Sequence, residues 1–342
     1  MSAVSRVLAL CGALVAGTTT SAATVPLDLG WDSGAALVAR TASRVESDVA
    51  HRAAAATTAQ EASSIVLESQ QILTKEGMVH LPRTFRATGQ QFDLVVHFHG
   101  PPHVLGAAME KAGVEAALLV YNRDGIVQSS AYDGRYAAPG SLDKAVAAVE
   151  DAIAQSGVVQ QPKVRRIALS GWSAGGGAVY RLLTHPAVAA RVDAVLVEDG
   201  LHAAFVKTAT RELDPLKLAP FVRLAEQAAH GDKLFGLTHS SIPTFDHGST
   251  TETAAYLAGK VGVNLHAPAA PRDLGTRPGE KAPPAAPPPG EPLKQTLGAD
   301  RGDFHVQGFE GTSKGAHCAQ LLKVDQTLMG YLAARWNRPS KI

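Results

Sequence analysis

The chain has 342 residues, 45% of them hydrophobic, and a formal net charge of +1 at pH 7. This length is sufficient for one sizeable α/β core with residues left over. The near-neutral charge argues against a surface that binds nucleic acid or another polyanion. No run reaches the roughly 18 apolar residues of a membrane-spanning helix, so we expect no stable membrane insertion.

The first residues have the pattern of a secretory signal. Arg6 precedes an apolar run over residues 7–16, and small residues follow up to Ala23. A positive start, a short apolar core and a small-residue exit are typical of a cleaved signal peptide. We therefore expect residues 1–23 to be removed and the protein to be secreted or periplasmic. Residues 24–77 are rich in Ala, Thr and Ser, which predicts a disordered or loosely helical spacer.

From residue 78, strand-like and helix-like segments alternate along the chain. Strands are predicted at residues 79–85, 93–99, 117–121, 165–170, 192–197, 234–238 and 304–306. Helices are predicted at residues 141–156, from about 176 to 183, and from the capping box at 249–252 to about 259. Strands that alternate with helices predict a doubly wound, mostly parallel sheet with helices on both faces.

Three further segments complete the predicted domain. Residues 203–231 have mixed helix-like sequence and predict an insertion or lid. Residues 267–296 are dense in proline, which neither donates ladder hydrogen bonds nor continues a helix, so we expect an extended, mobile loop. A closing amphipathic helix is predicted from the spacing of Leu321, Leu322, Leu328, Leu332 and Trp336.

The most informative stretch is residues 165–178, where an apolar strand leads directly into Gly171-x-Ser173-x-Gly175 and then into a helix-like segment. This order is that of the nucleophile elbow, a strained strand-to-helix turn that lifts a serine Oγ clear of a sheet. The glycines allow close backbone packing, and the N–H of Ala174 can face an oxyanion. A glycine-rich turn with an idle serine is the alternative.

On these residues the chain resembles the α/β-hydrolase superfamily, and the resemblance covers about residues 78–337. It implies Ser173 as nucleophile, followed in chain order by an acid and a histidine base. His317, in a small-residue loop after the last predicted strand, fits the base. His305 is a rival, but it lies inside the strand.

The resemblance leaves the acid open among three residues. Asp199 directly follows the strand after the elbow helix, and Gly200 permits a tight turn there. Asp246 follows the next strand, which is the more frequent position in the superfamily, but an aspartate before a helix often has only a capping role. Glu198 should point to the opposite side. We expect Asp199 to be the acid.

An oxyanion hole needs N–H donors from two places. Ala174 would supply one, and the loop that begins with His99 and Gly100 resembles the superfamily's His-Gly oxyanion motif. Pro101 and Pro102 follow, however, and proline has no N–H. The second donor is therefore Gly100, His103 or a side chain, and we expect Gly100.

Other histidines raise further possibilities. His97, His99 and His103 could suggest zinc, but no acidic residue at helical spacing completes a recognisable motif, so we expect no metal and no cofactor. His239, at the tip of a strand on the predicted active-site edge, is expected either to bind substrate or to hydrogen-bond a loop carbonyl.

These observations predict an exported serine hydrolase that cleaves small-molecule or lipid-like carboxylic esters through an acyl-enzyme. Amide hydrolysis and acyl transfer use the same residues. The double proline in the oxyanion loop favours one alternative, a catalytically weak or inactive binding protein of the cell envelope. A metal-dependent hydrolase built on the three histidines is a third possibility. The sequence does not predict the oligomeric state.

Overall fold

The computed structural model describes residues 68–123, 129–275 and 291–338. The predicted signal peptide at 1–23 and residues 24–67 of the predicted spacer lie outside these ranges. None of the helices in the described ranges is long and apolar enough to cross a membrane.

A mixed sheet dominates the described residues. The strands of this sheet are β1 Gln70–Thr74, β2 Gly77–Leu81, β3 Ala87–Thr88, β4 Gln91–Phe98, β5 Ala116–Tyr121, β6 Lys163–Trp172, β7 Ala194–Glu198, β10 Leu234–His239, β11 Asp273–Leu274, β12 Leu293–Arg301 and β13 Phe304–Phe309. Strands β8 Phe205–Lys207 and β9 Glu212–Leu213 form a separate pair. The spatial order is β1-β2-β5-β4-β6-β7-β10-β13-β12-β11, and β3 pairs with β4.

The centre of this sheet is parallel and its edges are antiparallel. Parallel pairs join β5 to β4, β4 to β6, β6 to β7, β7 to β10 and β10 to β13. The β1–β2 hairpin and strands β11 and β12 are antiparallel additions at the two edges. All the central strands therefore end at one edge of the sheet, which is where ligand and catalytic sites form in such folds.

Helices cover the two faces of the sheet. They are α1 Pro102–Ala112, α2 Asp133–Tyr136, α3 Ser141–Gln155, α4 Gly175–Leu183, α5 Pro186–Arg191, α6 Pro215–Ala229, α7 Thr250–Lys260, α8 Lys314–Leu322 and α9 Leu328–Trp336. Short 3-10 helices lie at Ser129–Tyr132, Thr208–Thr210 and Val324–Gln326.

Two apolar clusters correspond to the two faces. Strand residues Leu94 and Val96 pack with α3, α4, α6 and α7 on one side, whereas Val95 packs with α1, α8 and α9 on the other. This alternation is what a doubly covered strand requires. The predicted fold class, a mostly parallel sheet with helices on both faces, is confirmed.

The structure gives more detail for three predicted segments. Strand β1 lies inside the region predicted as a spacer up to residue 77. The predicted insertion at 203–231 consists of the β8–β9 hairpin and the 15-residue helix α6. Within the predicted proline-rich loop at 267–296, residues 276–290 lie outside the described residues, but β11 and the start of β12 are strands.

The predicted closing helix is two helices. Helix α8 ends at Leu322, a 3-10 turn follows, and α9 begins at Leu328. Leu322 is 39% exposed, whereas Leu321 and Leu328 are buried. A single helix through these positions would not bury all of the leucines, and the break lets α9 take its own direction against the sheet.

Candidate active site

The turn between β6 and α4 holds Ser173 in a left-handed backbone conformation, with φ at +54°. A Cβ at Gly175 would clash with the carbonyl oxygen of Phe98, and one at Gly171 would lie 2.8 Å from the carbonyl carbon of Gly175. Only glycine fits these two positions, which allows β6 and α4 to pack closely. The Ser173 N–H donates to the Glu198 carbonyl oxygen at 3.0 Å and so attaches the turn to β7.

Ser173, His317 and Asp199 form one hydrogen-bonded chain. The Ser173 Oγ lies 2.8 Å from Nε2 of His317, and the His317 Nδ1 lies 2.7 Å from Oδ2 of Asp199. His317 is in the first turn of α8, and Asp199 follows β7 directly. Less than 10% of each of the three residues is exposed. The arrangement can move a proton from the serine hydroxyl to an imidazole oriented by a carboxylate.

The second oxygen of Asp199 is held by the protein around it. Its Oδ1 accepts from the Ser240 N–H at 2.9 Å and from the Thr250 Oγ at 2.7 Å. Burial alone would raise the pKa of Asp199, but the hydrogen bonds and charge of His317, with those two donors, bring the pKa well below its usual range. Sequence reasoning missed Ser240 and Thr250, although the capping box at 249–252 marked the start of α7.

Comparisons with known proteins give distant similarity. No family model and no curated protein matches the chain. Among solved structures, the Thermus thermophilus protein TT1662 is 14% identical, with 80% of this chain and 100% of that chain covered and a TM-score of 0.39. A Pyrobaculum calidifontis esterase is 13% identical, with coverages of 95% and 96% and a TM-score of 0.38.

A Pyrococcus horikoshii acylaminoacyl peptidase is 12% identical, with a TM-score of 0.43, and the match covers 81% of this chain but only 43% of the peptidase. At such identities and TM-scores, the similarity carries no argument about the activity of this chain.

The sheet and the turn decide the fold. A serine with positive φ sits between a central parallel strand and a helix, and Ser173, Asp199 and His317 follow each other in that chain order. The chain has the α/β-hydrolase fold. Function does not follow from this fold by itself, so the role of each residue must be argued from the site.

The other candidate acids lie elsewhere. The side chain of Asp246 is 66% exposed and pairs with His247 at 2.6 Å. Glu198 is fully buried and accepts a hydrogen bond from Ser170 at 3.2 Å, and its carboxyl makes no hydrogen bond to His317 among the described contacts. Burial raises the pKa of Glu198 to about 8, so the carboxyl is protonated at neutral pH.

The predicted oxyanion donors have different surroundings. Ala174 lies at the start of α4, and its N–H makes no hydrogen bond to a described residue. The N–H of Gly100, by contrast, donates to the Asn122 Oδ1 at 2.8 Å, and the Asn122 amide donates back to the Gly100 carbonyl at 2.8 Å. Gly100 is therefore not available as the second donor, which corrects the sequence-based expectation.

His239 is not open to substrate. It is 2% exposed, and its ring packs so closely on Gly308 that a Cβ there would clash with it. The Thr251 hydroxyl donates to the Ser240 carbonyl at 2.8 Å and lies 2.9 Å from Nδ1 of His239. Of the two roles expected for His239, the structure fits the hydrogen bond to a loop carbonyl, because its Nδ1 lies 3.4 Å from the Ser240 carbonyl oxygen and the side chain supports that loop.

The histidines considered for metal binding do not converge. His97 is buried against Ser170, His99 contacts Tyr132, and His103 is exposed at the start of α1. Among the described residues, no group of three or more His, Cys, Asp or Glu side chains could hold a metal ion. The rival base His305 pairs with Asp300 at 2.6 Å and stacks on Tyr331, away from the elbow.

A cavity of about 180 Å³ lies beside the elbow. Its lining includes Gly176 and Gly200 next to the turn, and Lys217 and Phe221 of α6. The segment predicted as an insertion or lid therefore supplies part of the wall of this cavity, and its sequence can affect which molecules fit there.

Proposed function

We propose that this chain is a serine hydrolase that cleaves carboxylic esters through an acyl-enzyme on Ser173. The observation that carries the proposal is the hydrogen-bonded chain of Ser173, His317 and Asp199, with distances of 2.8 and 2.7 Å. A serine hydroxyl is a weak nucleophile until a base takes its proton, and that base needs a fixed orientation. The strained turn at Ser173 holds the Oγ at the active-site edge of the sheet.

Acylation begins when the Ser173 Oγ attacks the carbonyl carbon of the ester. The hydroxyl proton moves to Nε2 of His317, and the carbonyl π-electron pair moves onto the carbonyl oxygen. Asp199 stabilises the imidazolium without taking its proton. When the tetrahedral intermediate collapses, the bond to the leaving alkoxide oxygen breaks and that oxygen receives the proton from His317, so an alcohol departs.

Deacylation repeats the sequence with water. His317 takes a proton from a water molecule whose oxygen attacks the acyl carbon, and the second tetrahedral intermediate expels the Ser173 oxygen. That oxygen regains its proton from His317, and a carboxylic acid leaves. An ester is the less demanding substrate for this cycle, because an alkoxide departs more readily than an amine nitrogen.

The proposal includes the class of substrate and the location. Small-molecule or lipid-like esters fit a site beside a cavity of about 180 Å³ that is partly lined by Phe221. Export to the periplasm or the medium is supported by the sequence of residues 1–23.

Labelling with a fluorophosphonate tests the proposal directly. We expect one covalent adduct by intact mass on the wild type and none on Ser173→Ala. Ser241→Ala is a matched control, because the hydroxyl of this exposed serine donates to the Phe309 carbonyl at 3.3 Å and not to the triad, and we expect this variant to label like the wild type.

Folded wild-type protein that remains unlabelled would overturn the proposal. The binding-protein alternative would then be the one to pursue. An adduct that persists in Ser173→Ala would show that a different side chain is the nucleophile.

A further inference from the structure

The oxyanion loop after β4 lacks backbone donors over four consecutive residues. The N–H of His99 donates to the Tyr121 carbonyl oxygen at 3.2 Å, and the N–H of Gly100 donates to Asn122 at 2.8 Å. Pro101 and Pro102 have no N–H. An α/β-hydrolase normally takes its second oxyanion donor from this loop, so the donor in this chain has to be something else.

The His99 ring lies at the strand ends, beside the residue that precedes Ser173. In the β4–β6 register Phe98 pairs with Gly171, which brings His99 level with Trp172, the residue before Ser173. The His99 and Trp172 rings stack with centroids 5.3 Å apart and planes 14° apart. Trp172 also lies 4.9 Å from the His317 ring. His99 has φ at +71°, an unusual conformation for a residue with a side chain.

The two nitrogens of His99 have different environments. Its Nδ1 lies 3.0 Å from the Tyr132 hydroxyl. Its Nε2 makes no hydrogen bond to a described residue. The ring is thus fixed at one nitrogen, and the other nitrogen has no partner among the described residues.

The protonation state of this ring suits a hydrogen-bond donor. Burial and the nearby His317 lower the pKa of His99 to about 4, so the imidazole is neutral at neutral pH. Burial raises the pKa of Tyr132, whose hydroxyl therefore keeps its proton and can donate it to Nδ1. A neutral imidazole that accepts at Nδ1 carries its hydrogen on Nε2.

We propose that the Nε2–H of His99 is the second oxyanion donor and acts together with the N–H of Ala174. This inference rests on the proposed function. No proton is transferred in this role, because the donor only stabilises the negative charge on the carbonyl oxygen while each tetrahedral intermediate exists. Tyr132 is the positioning residue that selects the tautomer of His99.

Three substitutions test the assignment with p-nitrophenyl acetate as substrate. Loss of one oxyanion donor costs about 10²–10³-fold in kcat, so we expect that loss in His99→Ala with KM nearly unchanged. His99→Gln keeps an amide donor near the position of Nε2, so its kcat should be about 10-fold higher than that of His99→Ala. Tyr132→Phe should lower kcat by about 10-fold, because the tautomer is no longer selected.

A transition-state analogue separates this role from a structural one. A trifluoromethyl ketone forms an oxyanion on Ser173, so its inhibition constant should rise in each variant by the same factor by which kcat/KM falls. Loss of shape alone would not produce this proportionality across three variants. His230→Ala is the matched control, because this exposed histidine bonds to the Glu226 carbonyl in its own helix, and its kinetics should not change.

Failure of the His99 assignment can be distinguished from failure of the proposed function. A wild type that neither hydrolyses the ester nor reacts with a fluorophosphonate would overturn both. His99 would be overturned as the oxyanion donor, with the proposed function intact, by one combination of results. In it the wild type is active, Ser173→Ala is inactive, and folded His99→Ala keeps kcat within about threefold of the wild type. The backbone N–H of His103, in the first turn of α1, would then be the remaining donor of this loop.

Discussion

Both carboxylate oxygens of Asp199 have hydrogen-bond partners. One oxygen faces His317, and the other accepts from Ser240 and Thr250. An amide at this position would donate to His317 rather than accept from it, and the imidazole would then present the wrong tautomer to Ser173. We expect Asp199→Asn to lower kcat for a p-nitrophenyl ester by about 10³–10⁴-fold while the protein stays folded.

Asp246→Asn is the control for that experiment. Its carboxylate is exposed and bonds only to His247, so the substitution should leave kcat within about twofold of the wild type. An active Asp199→Asn together with an impaired Asp246→Asn would reverse the assignment of the acid. Stopped-assay initial rates at several substrate concentrations are sufficient to decide.

Single residues were predictable from sequence where their environment is local. The strained turn at Ser173 was predictable because the glycines on both sides of the serine belong to the same short turn. Gly100 was assigned wrongly because Asn122, 22 residues later, takes its N–H. The two roles considered for His239 could not be separated by sequence, because the space for its ring exists only where Gly308, on a neighbouring strand, has no side chain. Such contacts depend on the assembled sheet.

The carboxylate of Asp193 helps to fasten helix α9 to the sheet. Asp193, just before β7, accepts from Arg335 at 2.9 and 3.0 Å and from the Trp336 indole at 2.7 Å. The Arg335 side chain is only 14% exposed, so loss of Asp193 leaves a largely desolvated charge with Asp303 as its remaining carboxylate partner. We expect Asp193→Ala to lower the free energy of unfolding by about 2 kcal/mol, measured by urea denaturation.

Asp143→Ala is the matched control for this element. Asp143 pairs with Arg191 at 2.7 Å, but the two side chains are 73% and 41% exposed. Exposed pairs contribute about 0–1 kcal/mol, so this substitution should cost clearly less. Equal losses in the two variants would contradict the view that the Asp193 cluster holds α9.

At the level of elements, strong apolar patterns predicted the structure well and weak patterns did not. Strands β4, β5, β6 and β10 each contain an apolar run, and each was expected within a few residues of its observed bounds. Strand β12 was missed because its sequence is mostly polar and follows a proline-rich stretch. The break between α8 and α9 is likewise set by packing and not by local sequence.

A polar chain is buried beneath the active-site edge of the whole sheet. The Nδ1 of His97 lies 2.8 Å from the Ser170 Oγ, which donates to Oε1 of Glu198 at 3.2 Å. None of these three side chains is exposed. Burial raises the pKa of Glu198 to about 8 and lowers that of His97 to about 3, so both groups are uncharged in the folded protein near neutral pH.

These two groups make the stability of the molecule depend on pH in opposite directions. Glu198 titrates near 4.5 when unfolded but near 8 when folded. Between those values the folded state keeps a proton that the unfolded state releases, so the free energy of unfolding falls as pH rises. His97 titrates near 6.5 when unfolded but near 3 when folded, so its effect lowers stability as pH falls below 6.5.

Glu198→Gln should therefore gain stability relative to the wild type as pH rises from about 5 to 8. The difference in unfolding free energy between the two proteins can grow by at most about 1.4 kcal/mol per pH unit, and urea denaturation at several pH values measures it. His97→Gln should behave in the opposite way: its free energy of unfolding should rise relative to that of the wild type as pH falls. A Glu198→Gln curve parallel to that of the wild type would mean that Glu198 is ionised in the folded protein, and that the sheet tolerates a buried charge next to Asp199.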